Sequence, residues 1–154
     1  MRKLMTGVFA LIGLFALTTA SFAEGTTPEQ AKAFVEKAVS YYKSVGKDQA
    51  LAAFGDPNGA FRDGELYLVV MDGNDGKLTM LAHGVNKALV GKPQIDMKDA
   101  EGRAFNQETA AALAKGDSTW VEFKWPNPVT KKIANKRAYF VKVDGMVIGA
   151  GIYN

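Results

Sequence analysis

The spacing of apolar positions changes along the chain, and each change marks an element. Ala31, Phe34, Val35, Ala38, Val39, Tyr42 and Val45 recur three and four residues apart, the stripe of an amphipathic helix that must lie on something. Its start is written in Thr27-Pro28-Glu29-Gln30: Thr27 caps, Pro28 suits the first helical position, and Gln30 stands where a capping box needs it. Gly46 stops the helix. Asp48 is expected to cap a second, shorter helix through Phe54, which the turn-forming run Gly55-Asp56-Pro57-Asn58-Gly59 ends.

From Glu65 the pattern becomes that of strands. Residues 65–72 form a buried-looking apolar run, and residues 77–83 follow across a hairpin turn at Gly73-Asn74-Asp75-Gly76. Residues 84–104 carry Gly84, Gly91, Pro93 and Gly102 and no clear periodicity, so they read as a long ordered crossover, a kind of segment that often carries function. Asn106 is expected to cap a helix through Lys115 that Gly116 closes, and residues 118–125 form a third strand broken by Trp125-Pro126-Asn127-Pro128. Residues 135–143 and 146–153 then pair across Asp144-Gly145, the strongest short hairpin signal in the chain. The order predicts an α+β domain: an antiparallel sheet of about five strands with helices packed on it. No repeat, low-complexity tract or second domain is visible.

The first 23 residues have a separate character. Arg2 and Lys3 precede an apolar run from Val8 to Leu17, and Ser21-Phe22-Ala23 supplies small residues for a signal peptidase, so cleavage after Ala23 is expected, leaving residues 24–154 as one domain. The apolar run is shorter than the roughly 20 residues that span a bilayer, and no later segment approaches that length. A periplasmic or secreted location follows as the expectation. Residues 1–23 hold two of the 19 basic residues and none of the 16 acidic ones, so the remainder is close to neutral and nucleic acid is not an expected partner. The chain has no cysteine, which excludes disulfides, thiolate catalysis and cysteine metal sites.

Several segments match known patterns. Trp120-Val121-Glu122-Phe123-Lys124-Trp125-Pro126-Asn127-Pro128-Val129-Thr130, then Lys136-Arg137-Ala138-Tyr139, then Val147-Ile148-Gly149-Ala150-Gly151-Ile152-Tyr153 resemble the C-terminal half of the single Cache domains, the extracytoplasmic PAS-like sensors of bacterial chemoreceptors and histidine kinases. Ala82-His83-Gly84, Leu89-Val90-Gly91-Lys92 and residues 99–105 (Asp-Ala-Glu-Gly-Arg-Ala-Phe) are similar to the middle of that family, although Gly84 stands where the family often has proline. The resemblance implies a PAS-like five-stranded antiparallel sheet with a long N-terminal helix packed on it, and a pocket under the crossover for a small organic molecule, often a short carboxylic acid. Receptors of this family continue into a membrane helix and a signalling module. This chain stops at Asn154, so a free-standing form is expected, with a separate membrane receptor or histidine kinase as its partner.

Against that background five residues are expected to bind ligand: Tyr67, His83, Trp120, Lys124 and Lys136. His83 is the single histidine, and its imidazole either hydrogen-bonds a carboxylate or caps the loop through a backbone carbonyl. Trp120, Phe123, Trp125, Tyr67 and Tyr139 are aromatic residues that would wall a pocket or simply fill a core. Strand alternation puts Trp120, Glu122 and Lys124 on one face and Val121, Phe123 and Trp125 on the other. Lys124 and Lys136 would neutralise a bound carboxylate, or extend their heads to solvent at a sheet edge.

Other chemistry has little support. Asp72-Gly73-Asn74-Asp75-Gly76-Lys77 resembles a calcium loop but lacks its glycine position and closing glutamate, so it is read as a turn. Gly149-Ala150-Gly151 has no helix after it to hold a phosphate; its glycines let a backbone or a ligand approach the last strand. No serine sits in a nucleophile-elbow pattern, and no catalytic residue, metal or cofactor is expected. The competing expectation is a protein-interaction module whose long first helix drives homodimerisation, with Tyr41, off the main apolar stripe beside Tyr42, as its one hint.

Overall fold

The structure, a computed structural model, describes residues 25–154, so the expected signal peptide lies outside the described residues. Helix α1 (Pro28–Val45) begins with the capping box read from the sequence: Thr27 Oγ1 accepts from the Gln30 N–H at 3.3 Å, and Gln30 Oε1 accepts from the Thr27 N–H at 2.8 Å. Helix α2 (Lys47–Phe54) follows directly. Its cap is Gly46 with no side-chain bond, so Asp48 does not cap; it sits in the first turn, where its charge suits the helix dipole.

Strands β1 (Arg62–Asp63) and β2 (Leu66–Tyr67) form a two-stranded ribbon. The main sheet contains β3 (Val69–Asp72), β4 (Met80–His83), β5 (Ser118–Pro126), β6 (Ile133–Val143) and β7 (Met146–Tyr153), antiparallel throughout in the order β4-β3-β7-β6-β5. The single apolar run expected over 65–72 is therefore two strands, because its first half pairs with β1 and its second with β4 and β7. The strand expected over 77–83 is shortened, since Leu78 takes a positive φ of 51° and Asp75 draws the Lys77 and Thr79 N–H groups into a turn. At the last hairpin Asp144 and Gly145 both take positive φ, as a tight two-residue turn requires.

Both faces of the sheet are covered. On one, Ala31, Val35 and Ala38 of α1 are fully buried against a cluster that includes Leu68, Val70, Ile148 and Ile152, with Phe54 and Phe61 closing its end. Tyr41, the hint of an interaction face, packs inward, its ring 5.1 Å from that of Phe61 and 6.1 Å from that of Phe54. On the other face lie the crossover and helix α3 (Phe105–Leu113), over Met71, Met80, Val121, Phe123, Ala138 and Phe140. Helix α3 starts one residue before the expected cap: Ala104 holds the cap position without a side-chain bond, and Asn106 is buried.

The crossover contains one short 3₁₀ turn (Lys87–Leu89) and is tied to the sheet at several points. Gly84 N–H donates to Leu68 O at 2.9 Å, a bond that a proline could not make. Asp99 does the most. Its Oδ1 accepts from the Glu101 and Arg103 N–H groups, both at 2.9 Å, and its Oδ2 accepts from the Lys124 N–H on β5 at 2.9 Å. The Lys124 N–H first, and then that of Arg103, hold the Asp99 carboxyl below the usual carboxylate range.

Asp99→Asn should therefore loosen the crossover, because one acceptor oxygen becomes an amide with donors where acceptors are needed. The expected result is a lower Tm and faster limited proteolysis within 84–104. A depressed folded pKa means that the ionised carboxylate contributes fully above about pH 4 and that the contribution is lost as pH falls through the folded value. The Tm gap between wild type and variant should accordingly narrow in acid.

Candidate functional site

A cavity lies between the sheet and the crossover, lined by Met71, Met80, Met97, Phe105, Phe123 and Trp125 among its apolar residues and by Tyr67, His83, Gln94, Asn106 and Lys136 among its polar ones. It leaves about 40 Å³ in which the centre of a water-sized guest can sit. One buried water needs roughly 10–15 Å³ on that measure, so there is room for a small guest. An outer, polar groove shares Phe123 and Lys136 with the cavity.

Lys136 is placed here by strand register. It stands opposite Phe123 on β6, so its side chain shares the face of Val121, Phe123 and Trp125. Its stem runs over β7 at Gly151, where a Cβ would stand 2.7 Å from Lys136 Cε and 2.9 Å from Arg137 O. The glycine that the sequence marked for close approach makes room for this lysine. Lys136 is only 5 % exposed and forms no ion pair with a carboxylate among the described residues. Its Nζ donates to Tyr67 Oη at 2.8 Å and lies 4.0 Å from the Tyr67 ring centre and 4.9 Å from that of Tyr153.

The hydroxyls beyond it form a directed chain. Tyr153 donates to Pro126 O at 3.0 Å, so its single proton is engaged there. Tyr67, which accepts from Lys136, must then donate across the 3.2 Å contact to Tyr153. Burial first, then the adjoining Tyr67, pushes the Tyr153 phenol above its ordinary value, so it stays a donor. The two remaining N–H groups of Lys136 have no protein acceptor among the described residues.

His83 closes the site from the end of β4, 2 % exposed, its ring 5.1 Å from that of Tyr67. Its Nδ1 accepts from the N–H groups of Val85 at 3.2 Å and Asn86 at 3.0 Å. The expected loop cap is present in altered form, through amides that donate to the ring rather than through a carbonyl that accepts from it. With Nδ1 an acceptor, the proton of the neutral ring is on Nε2, and that donor has no protein acceptor among the described residues. Burial, and then the charge of Lys136, pull the imidazole from its ordinary 6.5 down to about 3.

The other two expected residues are elsewhere. Trp120 faces α1, its ring 5.1 Å from that of Tyr139 and stacked by the Arg137 guanidinium at 4.8 Å. Lys124 lies at the surface in the outer groove, its Nζ 3.3 Å from Glu101 Oε1. The structure thus brings Tyr67, His83 and Lys136 together and separates Trp120 and Lys124 from them. Gln94, Asn106 and the methionines of the wall were not anticipated; their one sequence signal is membership of, or proximity to, the glycine-bearing crossover. Among the described residues no group of three or more His, Asp or Glu side chains is arranged to hold a metal ion.

Comparison with known proteins gives consistent results. The family Single Cache domain 2 matches residues 26–154. No curated protein matches the sequence. Among solved structures, a methyl-accepting chemotaxis protein from Vibrio parahaemolyticus RIMD 2210633 is similar with a TM-score of 0.69 at 24 % identity, over 81 % of this chain and 86 % of that one. A Cache chemosensory domain described for carboxylic acid recognition is similar with a TM-score of 0.69 at 22 % identity, over 81 % of this chain and 91 % of that one. A periplasmic sensor domain of a chemotaxis protein is similar with a TM-score of 0.61 at 25 % identity, over 81 % and 88 %.

The neutral imidazole has a measurable consequence. Between pH 6.5 and about 3 the unfolded chain binds a proton at His83 that the folded one refuses, so stability must rise with pH across that window. Acidification from pH 7 to 5 should cost the wild type about 2 kcal/mol through this residue. His83→Asn keeps an acceptor for the loop amides and cannot titrate. Urea unfolding at the two pH values should show a smaller loss in the variant by about that amount.

Proposed function

The chain belongs to the single Cache domain family, and on that footing we propose that it is a periplasmic or secreted sensor-type domain that binds a short organic acid. The family provides ligand-binding sensor modules rather than enzymes, and one similar Cache domain is described for carboxylic acid recognition. The single observation that carries the reading is Lys136: an ammonium set in an aromatic and methionine-lined cavity without a carboxylate partner. Leaving a buried charge without a counter-ion is costly, and an entering anion removes that cost. Two free N–H groups on Lys136 and the Nε2–H of His83 are the donors that a carboxylate would accept from. Away from bulk water these contacts count for more than they would at an exposed surface.

In this reading His83 and Lys136 bind the ligand, Tyr67 positions Lys136, and Trp120 and Lys124 have no part in it. Tyr67 has no spare proton for the ligand. The domain would present its ligand, or its ligand-bound shape, to a separate membrane receptor or histidine kinase. The leader-like residues 1–23 support export, and no helix among the described residues is long and apolar enough to cross a membrane.

Lys136→Met keeps the stem and removes the charge. It should weaken acetate or propionate binding by at least about 30-fold in titration calorimetry, the lower range for loss of one partner of a buried charge pair. Propionamide, which matches propionate in shape but carries no charge, should bind the wild type far more weakly than propionate does. Equal binding of the acid and its amide would overturn the reading.

A further inference from the structure

Two side chains of the cavity wall are not used by a plain carboxylate. Gln94 and Asn106 are 1 % and 4 % exposed, and both face the same hollow. Gln94 Nε2 donates to Lys92 O at 2.8 Å, and Asn106 Nδ2 donates to Gln94 O at 2.8 Å. Both acceptors are backbone carbonyls, which can only accept, so the amide nitrogens are fixed by their partners. The atoms left over are Gln94 Oε1 and Asn106 Oδ1. Neither receives a hydrogen bond from any donor among the described residues.

Both oxygens open on the cavity and meet no protein donor there, so a guest that brings a donor complements this wall better than one without. Nearby protein donors do not supply it: the Tyr67 proton is engaged with Tyr153, and Lys136 and His83 form the anion-binding set. We infer that the ligand is a short hydroxy-substituted carboxylic acid, its carboxylate on Lys136 and His83 Nε2–H and its hydroxyl donating its one proton to Gln94 Oε1 or Asn106 Oδ1. This rests on the small-acid reading and adds the class of acid.

A hydroxyl suits these acceptors better than an ammonium does. The cavity lining contains no carboxylate, and a buried ammonium needs one, all the more beside the charge already present on Lys136. An unsubstituted alkanoate offers these amide oxygens no donor, whereas a hydroxyl supplies one bond to one of them. The short reach of the cavity limits the guest to a few carbon atoms.

Titration calorimetry with two matched sets, acetate, glycolate and glycine, then propionate, lactate and alanine, tests the inference on the intact domain. Glycolate and lactate should each bind about 3- to 10-fold tighter than the parent acid, the range that one net hydrogen bond supplies, and tighter than the amino acid. Gln94→Met and Asn106→Leu should each move the lactate-to-propionate ratio toward one; where a variant does not fold, the wild-type ratios decide. Equal affinities within each set, or a ratio unchanged in both folded variants, would overturn the hydroxy-acid assignment while leaving the small-acid reading in place. Tighter binding of glycine and alanine would also overturn it, by giving the acceptors to an ammonium. No binding by any of the six compounds would overturn both readings.

Discussion

The structure of the site turns on one buried ammonium. Lys136 lies inside a sheet that is covered on both faces, with the hydroxyl of Tyr67 as its hydrogen-bond partner and two aromatic rings against its charge. Three features accompany a lysine in that position. Gly151 leaves space for its stem, Tyr67 passes its proton to Tyr153 so that its oxygen is free to accept, and the cavity leaves the other N–H groups room for a guest. The same charge helps to keep His83 neutral, which fixes a donor on Nε2 beside it.

Around that charge the fold divides its work between the two faces of the sheet. The α1 face is a dense apolar layer in which Ala31, Val35 and Ala38 permit close approach to the strands, and its role is to hold the sheet. The crossover face is less completely filled, and its polar side chains are set by backbone contacts: His83 by the amides of Val85 and Asn86, Asn106 by Gln94 O, Gln94 by Lys92 O. Asp99 ties this segment to β5 with three backbone bonds. A long segment without regular structure can then hold side chains in place nearly as a strand does.

Much of the architecture was legible in the sequence. The capping box at Thr27, the helical stripe to Val45, the tight turn at Asp144-Gly145, the α+β order and the family resemblance all survive in the structure, because each depends on residues close together in the chain. The errors at this level were also local. Asp48 and Asn106 were read as caps from their type alone, while the helices start where the preceding backbone allows, and Asn106 is drawn to a carbonyl 12 residues away. The run over 65–72 looked like one strand because burial was continuous through Leu68, where the partner changes.

The site was legible only in part, for a different reason. Alternation correctly separated Trp120 and Lys124 from Phe123, but the sequence could not say which of these faces Lys136 joins. That is set by the pairing of Phe123 with Lys136 across β5 and β6, and a slip of one residue would have put Lys124 and Lys136 on the same face. By itself the chain determined its elements, their order and the presence of one histidine and of lysines on its strands, since these follow from short-range spacing and residue type. Only the tertiary structure decided which lysine is buried, which nitrogen of the histidine is free and that Gln94 and Asn106 turn unpaired oxygens to the same hollow, because each of these depends on contacts between segments far apart in sequence.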